Sequence, residues 1–274
     1  MMKTFLIPTD FSAAANNAVE YAAKLAQRVD GKLELANIKI PNASEIVIES
    51  DNCRYIKNTP EILEDMSNSI RDTFSIPCTF IAEKTDNTFQ KAVSKLSSEK
   101  DLIIMGTNGA DDLYQYFFGT NTYQVIKKST CPVLVIPENS NYKAIKKVVF
   151  AWDYTPANKM SLLQMCCLLE VFHPEITLLH ISRKNSMVGN EVFNAIKEEM
   201  CSFTIESMNI RYDRIFCEDT ENFTDKMVDY MVDNNADLLV ITHYERNFIQ
   251  QIFHGNILRK LTDTSNYPLL VLHV

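Results

Sequence analysis

The chain holds six glycines, and three of them, Gly106, Gly109 and Gly119, fall within one short stretch where random placement would leave about 0.3. Their spacing is Gly-x2-Gly-x9-Gly, followed at once by Thr120, Asn121 and Thr122. Glycine lets a backbone come close to an anion. A helix opening at Thr120 would offer unpaired N–H groups and a favourable dipole, and the threonines add hydroxyl donors. That is phosphate-binding chemistry. Two further stretches could complete a site: Pro8-Thr9-Asp10, whose carboxylate can accept from a ribose or a base edge, and Asn37-Ile38, an apolar strand end suited to an adenine. Met105 precedes the first glycine. A Gly-x2-Gly pair alone is more often an ordinary strand-to-helix turn; the third glycine, the hydroxyls and Asp10 shift the balance to a nucleotide site.

These residues need elements to hold them, and the chain supplies the same set twice. Phe5–Ser12 (FLIPTDFS) matches Val148–Thr155 (VVFAWDYT), and Leu33–Ile38 matches Ile176–Ile181, both at an offset of 143. Later, Asp101–Met105 matches Asp237–Ile241, Gly119 matches Gly255 and Pro132 matches Pro268 at an offset of 136. Each copy alternates short apolar runs with helical patterns. The expectation is an α/β fold of two tandem doubly wound, Rossmann-like domains, 1–138 and 144–274, each with a five-stranded, mainly parallel sheet, joined by the polar segment 138–141.

In copy one the strands are expected at Thr4–Pro8, Leu33–Ile40, Cys78–Glu83, Asp101–Met105 and Pro132–Ile136. Helix one follows an N-cap at Ser12 and keeps Ala15, Val19, Ala22 and Ala26 on one face. Helix two starts with Thr59 as N-cap and Pro60 at its first position, with Leu63, Met66, Ile70 and Phe74 in a core stripe. Copy two repeats the device with Thr155-Pro156 and with the stripe Val192, Ile196, Met200 and Phe203. In such a sheet ligands sit outside the carboxyl ends of the strands where their order reverses, which gathers Pro8–Asp10, Ile38 and Met105–Gly106. The closing strands, Val133–Ile136 and Leu269–Leu272, would leave sticky edges. Pairing them within the chain solves that, and a homodimer is the other possibility.

The residues Gly106, Gly109, Gly119 and Thr120, with PTDFS at Pro8–Ser12, IIMG at Ile103–Gly106 and CPVLVIP at Cys131–Pro137, resemble the universal stress protein family, and the whole chain resembles a tandem member of it. The resemblance implies an adenine nucleotide alpha-hydrolase-like fold that binds ATP. It implies adenine and ribose contacts near Asp10, Ile38 and Gly106, phosphate contacts from Gly109, Gly119, Thr120, Asn121 and Thr122, and Mg2+ or Mn2+ on the phosphates without an assigned protein ligand. Two departures stand out. Asn37 replaces the histidine usual in that family, which copy two keeps as His180, and Asp111 and Asp112 bring negative charge near the phosphates. Lys127 and Lys128 lie about two turns into the next helix, too far to offset it.

Copy two carries Thr242 for Gly106, Glu245 for Gly109, and Asn256 and Leu258 for Thr120 and Thr122, so it is expected to hold no ATP. Asp153, the match of Asp10, is as readily a helix cap as a ligand. The loop from Thr107 to Phe118 is the expected switching element, with Tyr116, Phe117 and Phe118 as its anchors. No Walker loop, dinucleotide fingerprint or nucleophile elbow occurs, and the five histidines, all in copy two, lack metal-ligand spacing.

Across its 274 residues, 46% hydrophobic and 23% charged, a net charge of -8 argues against nucleic acid and anionic membrane as partners. Seven cysteines, two of them adjacent, read as reduced and mostly packed thiols. The leading expectation is a cytoplasmic, non-enzymatic regulatory module of the stress response, with one ATP in copy one, little or no hydrolysis and an unnamed protein partner. The alternatives are a protein-interaction scaffold that binds no nucleotide, and an adenylyl-transfer enzyme.

Overall fold

A computed structural model describes residues 2–39, 48–50, 53–55, 58–85, 87–107, 120–152, 156–183, 209–218, 223–243 and 267–273. These form two compact units, one from the described residues up to 142 and one from those beginning at 143. Each is a doubly wound α/β unit around a five-stranded parallel sheet.

In the first unit the sheet strands are β1 (Thr4–Pro8), β2 (Lys32–Lys39), β5 (Cys78–Lys84), β6 (Leu102–Thr107) and β7 (Val133–Pro137), while β3 (Ile48–Ser50) and β4 (Cys53–Tyr55) make a separate antiparallel pair. The sheet order is β7-β6-β1-β2-β5, and every ladder is parallel. Leu6, Ile7, Ile103, Ile104 and Ile136 are buried outright, as strands covered on both faces require.

Helix α1 (Ala13–Val29) begins as its sequence predicts, with the Ser12 hydroxyl accepting from the Ala15 N–H at 3.2 Å. Its inward face is a sheet of alanines, Ala14, Ala15, Ala18, Ala22, Ala23 and Ala26, all buried. Helix α2 (Thr59–Phe74) corrects the sequence reading. Its N-cap is Asn58, not Thr59: Asn58 Oδ1 accepts from the Glu61 N–H at 3.0 Å and Glu61 Oε2 accepts from the Asn58 N–H at 3.4 Å. A capping box needs a Glu or Gln three residues on, which Asn58 has and Thr59, followed by Ile62, has not. Along its stripe Leu63 and Ile70 are buried, but Met66 and Phe74 are only half-buried; Ile62 and Ser67 fill the face instead. Helices α3 (Phe89–Leu96) and α4 (Thr120–Lys128) complete the unit.

The second unit has β8 (Lys147–Ala151), β9 (Glu175–Arg183), β10 (Asn209–Cys217), β11 (Leu238–His243) and β12 (Leu269–His273), in the order β10-β9-β8-β11-β12, again all parallel. Its described helices are α5 (Pro156–Leu169), extended by a tighter turn at Glu170–Phe172, and α6 (Phe223–Asp233). Thr155 and the stripe at 192–203 lie outside the described residues. Strand β10 escapes the periodicity argument because Arg211, Asp213 and Arg214 break its apolar alternation.

The duplication extends to single hydrogen bonds. Asp101 Oδ2 accepts from the Thr4 N–H at 2.7 Å, and Asp237 Oδ2 from the Lys147 N–H at 2.9 Å. The N–H of each Asp donates back to the carbonyl of the same partner, at 3.0 and 2.8 Å. Both α1 and the α5 extension end on a left-handed residue, Asp30 (φ 51) and His173 (φ 46).

Candidate functional site

From β1 the chain moves outward to β2 and β5, then returns to β6 and β7 on the other side, so the order reverses between β1 and β6. The carboxyl ends that meet there carry Pro8, Thr9, Asp10, Ile38, Met105 and Gly106. Thr9 donates its N–H to Ala36 O at 2.9 Å, fixing the end of β1 against β2. The chain then turns sharply through Phe11 at φ 67, with Phe11 N donating to Thr9 Oγ1 at 3.1 Å and Ser12 N to Asp10 Oδ1 at 3.0 Å. Asp10 is thereby an exposed carboxylate held by one oxygen, while Oδ2 has no hydrogen bond among the described residues. Beside it, Asn37 is buried; its Nδ2 donates to Thr9 O at 2.8 Å and its Oδ1 is buried with no donor. Ile38, the next residue, is half-exposed at the strand end.

Met105 is buried and Gly106 half-buried in β6. A Cβ on Gly106 would stand 2.2 Å from Ala14 O and 2.4 Å from Ala14 C, both backbone atoms. The close approach this glycine permits is to the start of α1. Thr120 opens α4, and a helix start is where unpaired amide groups occur. Asn121 is exposed, Thr122 is buried, and Val125 and Ile126 anchor the helix in the core. Lys127 and Lys128 are exposed in its last turn. Gly109, Asp111, Asp112, Phe118 and Gly119 lie outside the described residues.

The second unit reverses between β8 and β11. Trp152 N donates to Leu179 O at 2.8 Å, and His180 Nδ1 bonds Trp152 O at 2.8 Å. These are the positions of Thr9, Ala36 and Asn37, so the amide and the imidazole do one job, holding the carbonyl just past the first strand. The departure at Asn37 is conservative in function. Elsewhere the mouth differs. Trp152, in Thr9's place, is buried with its ring edge-on to Phe150 at 5.6 Å, and Thr242, in Gly106's place, is buried with its hydroxyl unpaired. His243 and His273, read as single histidines, stand side by side in register with rings 5.2 Å apart. Thirty residues of sequence hide that contact, which only the β11–β12 pairing creates.

Among the described residues no group of three or more His, Cys, Asp or Glu is placed to hold a metal ion, and no helix is long and apolar enough to cross a membrane. Burial pushes the Cys131 thiol up to about 12 and the Cys166 thiol to about 11, and raises Cys78, so these three are packed and protonated. Cys167 is exposed.

A five-stranded parallel sheet in the order β7-β6-β1-β2-β5, wound with helices, defines the class of doubly wound α/β domains. The model of the universal stress protein family matches residues 1–52 and 97–137. Through this first unit the chain is similar to the universal stress protein family. Over the whole chain it resembles the crystal structure of a universal stress protein from Archaeoglobus fulgidus DSM 4304, at 14% identity and TM-score 0.69, covering 98% of each chain. It also resembles a protein of Pseudomonas aeruginosa UCBPP-PA14 assigned to the same family, at 13% identity and TM-score 0.61, covering 99% of this chain and 93% of that one. At these identities the likeness establishes the fold of both units. A comparison with curated proteins finds no match.

Proposed function

We propose that the first unit binds ATP, with Mg2+ or Mn2+ on its phosphates, and acts as a cytoplasmic regulatory module of the stress response rather than as an enzyme. The observation that carries this reading is the reversal point itself. There an exposed Asp10 carboxylate, fixed by Ser12 N, the half-exposed Ile38 and the opening turn of α4 share one edge of the sheet. In this reading Asp10 Oδ2 accepts from the ribose hydroxyls, and the adenine lies against Ile38, with Pro8, Thr9, Met105 and Gly106 forming the floor. The α4 amides, with Gly109, Gly119, Thr120, Asn121 and Thr122, receive the phosphates. The metal would take its ligands from phosphate oxygens and water. Nucleotide binding then alters the surface offered to a protein partner by favouring one conformation of the loop.

The test is isothermal titration of the whole chain with ATP and magnesium, beside Gly109→Glu, which copies Glu245 of the second unit. About one ATP per chain is expected, lost in the variant through a bulky anion at the phosphate site. No binding by the unaltered chain, or equal binding by the variant, overturns the reading.

A further inference from the structure

Four buried polar atoms of the second unit have no hydrogen-bond partner and stand in the seam between α5 and the sheet: Trp152 Nε1, Ser161 Oγ, Gln164 Oε1 and Thr242 Oγ1. Trp152, Ser161 and Thr242 are 3%, 0% and 9% exposed. Phe150 and Val240 are register partners across β8 and β11, and Trp152 and Thr242 each follow two residues later, on the same side of the sheet. They therefore flank the point where the strand order reverses, the place where a doubly wound sheet takes its ligands. Helix α5 packs on β11 and β12, and it brings Ser161 and, three residues on, Gln164 to that side.

The same seam can be built without orphaned groups. At the positions that match Trp152, Ser161 and Thr242 the first unit has Thr9, Ala18 and Gly106. The Thr9 hydroxyl accepts from Phe11 N at 3.1 Å, and the other two residues carry no polar side-chain atom. A buried hydroxyl or indole N–H without a partner costs stability, and native interiors keep such groups where something else completes them.

The four atoms also specify what completes them. Trp152 Nε1 can only donate and Gln164 Oε1 can only accept, while the two hydroxyls do either. None of the four is charged, so an ion seated among them would find no counter-charge there. We infer that the reversal point of the second unit binds a small uncharged ligand that presents an acceptor beside a donor, as a carboxamide does. Its carbonyl accepts from Trp152 Nε1, and its N–H groups donate to the oxygens of Ser161, Thr242 or Gln164. The second unit thus takes a neutral ligand where the first is built for an anionic one.

Trp152 is the chain's one tryptophan, so the site carries its own reporter. An acceptor arriving on a buried, unbonded indole N–H moves its emission to longer wavelength. The test is titration of the full chain with acetamide to about 100 mM, beside acetate as the charged isostere, with half-saturation by acetamide on the order of 10 mM. A saturable red shift with acetamide and none with acetate is expected. Thr242→Val keeps the shape and removes the hydroxyl, and Ser161→Ala does the same on the helix. Each is expected to weaken acetamide binding about tenfold and to raise the melting temperature of the ligand-free chain, since an unpaired buried hydroxyl is gone. No saturable shift with acetamide, an equal response to acetate, or an undiminished response in both variants overturns the proposal. The two substitutions lie on different elements, so one decides the matter even if the other folds poorly.

Discussion

The seam between α1 and β6 and the seam between α5 and β11 are the same joint built in two ways. In the first unit an alanine-rich helix face meets a glycine, and the backbones come so close that a Cβ on Gly106 has no room. In the second, Ser161, Leu162, Met165, Cys166 and Leu169 occupy the face, all buried, and Thr242 stands where Gly106 would. Residues on two separate elements have changed size together. The lesson is that the first glycine of the motif belongs to a packing agreement with α1. Losing it in the second unit goes with larger buried side chains on the facing helix.

The sharpest way to break this comparison is Gly106→Thr, which puts the second unit's residue into the first unit's seam. The obstructing atoms are backbone, so α1 must move, and a cost of about 3 kcal/mol is expected. That corresponds to a melting shift of roughly 10 °C for the first unit. Thr242→Gly should cost only about 1 kcal/mol, from added backbone freedom. The chain's one tryptophan, Trp152, lies in the second unit, so fluorescence follows that unit while circular dichroism follows both. Gly106→Thr should move the dichroism transition and leave the fluorescence transition in place. A variant as stable as the parent would refute the packing account.

Next in size is the carbonyl clasp. Asn37→Leu leaves Thr9 O without its buried donor and is expected to cost about 2 kcal/mol. Asn37→His should recover most of it, because His180 makes the equivalent bond to Trp152 O. Urea unfolding of both variants measures this. If His is no better than Leu at position 37, the two mouths are not built alike.

How far the sequence alone could see follows the same division. Local signals were legible: the Ser12 cap, the alanine stripe of α1 and all five strands of the first-unit sheet to within about two residues, because caps and periodicity act over one turn or one pleat. The Asn58 cap was legible in principle through Glu61 three residues on, but the Thr59-Pro60 signal competed with it. What depended on two distant segments meeting was not legible. The contact of Gly106 with Ala14 spans 92 positions, and that of His243 with His273 spans 30. The internal repeat shows that Asn37 and His180 occupy one position, but only the folded backbone shows that both side chains hold a carbonyl.

A third effect appears with alkali. The Cys131 and Cys166 thiols keep their protons in the folded chain up to about 12 and about 11, against 9.0 for an ordinary thiol. Burial is the main cause in both. Since the folded values are raised, the stability they contribute is complete below pH 9 and is lost as pH climbs toward 11 for Cys166 and 12 for Cys131. Each thiol should contribute a fall of about 1.4 kcal/mol per pH unit in that window. Urea titrations at stepped pH should show Cys131→Val flattening the slope of the first unit and Cys166→Val that of the second. Equal slopes in parent and variants would show that the thiols are not what alkali attacks.

The smallest effect concerns the clasp that starts each sheet. Asp101 and Asp237 stand in equivalent positions, and each exchanges two hydrogen bonds with the residue that opens the first strand of its unit. They differ in one respect: Asp237 Oδ2 also accepts from Lys146 N at 2.9 Å, whereas Asp101 receives only Thr4 N. Both lie at the exposed edge, where water can replace a lost acceptor, so Asp101→Ala should cost about 1 kcal/mol and Asp237→Ala about half a kcal/mol more. In each case Asn, which keeps one acceptor oxygen, should recover a large part. Denaturant unfolding of the four variants is sensitive enough to rank them. If the order reverses, the second N–H adds nothing, and the clasp works through the returning Asp N–H, which substitution of the side chain leaves in place.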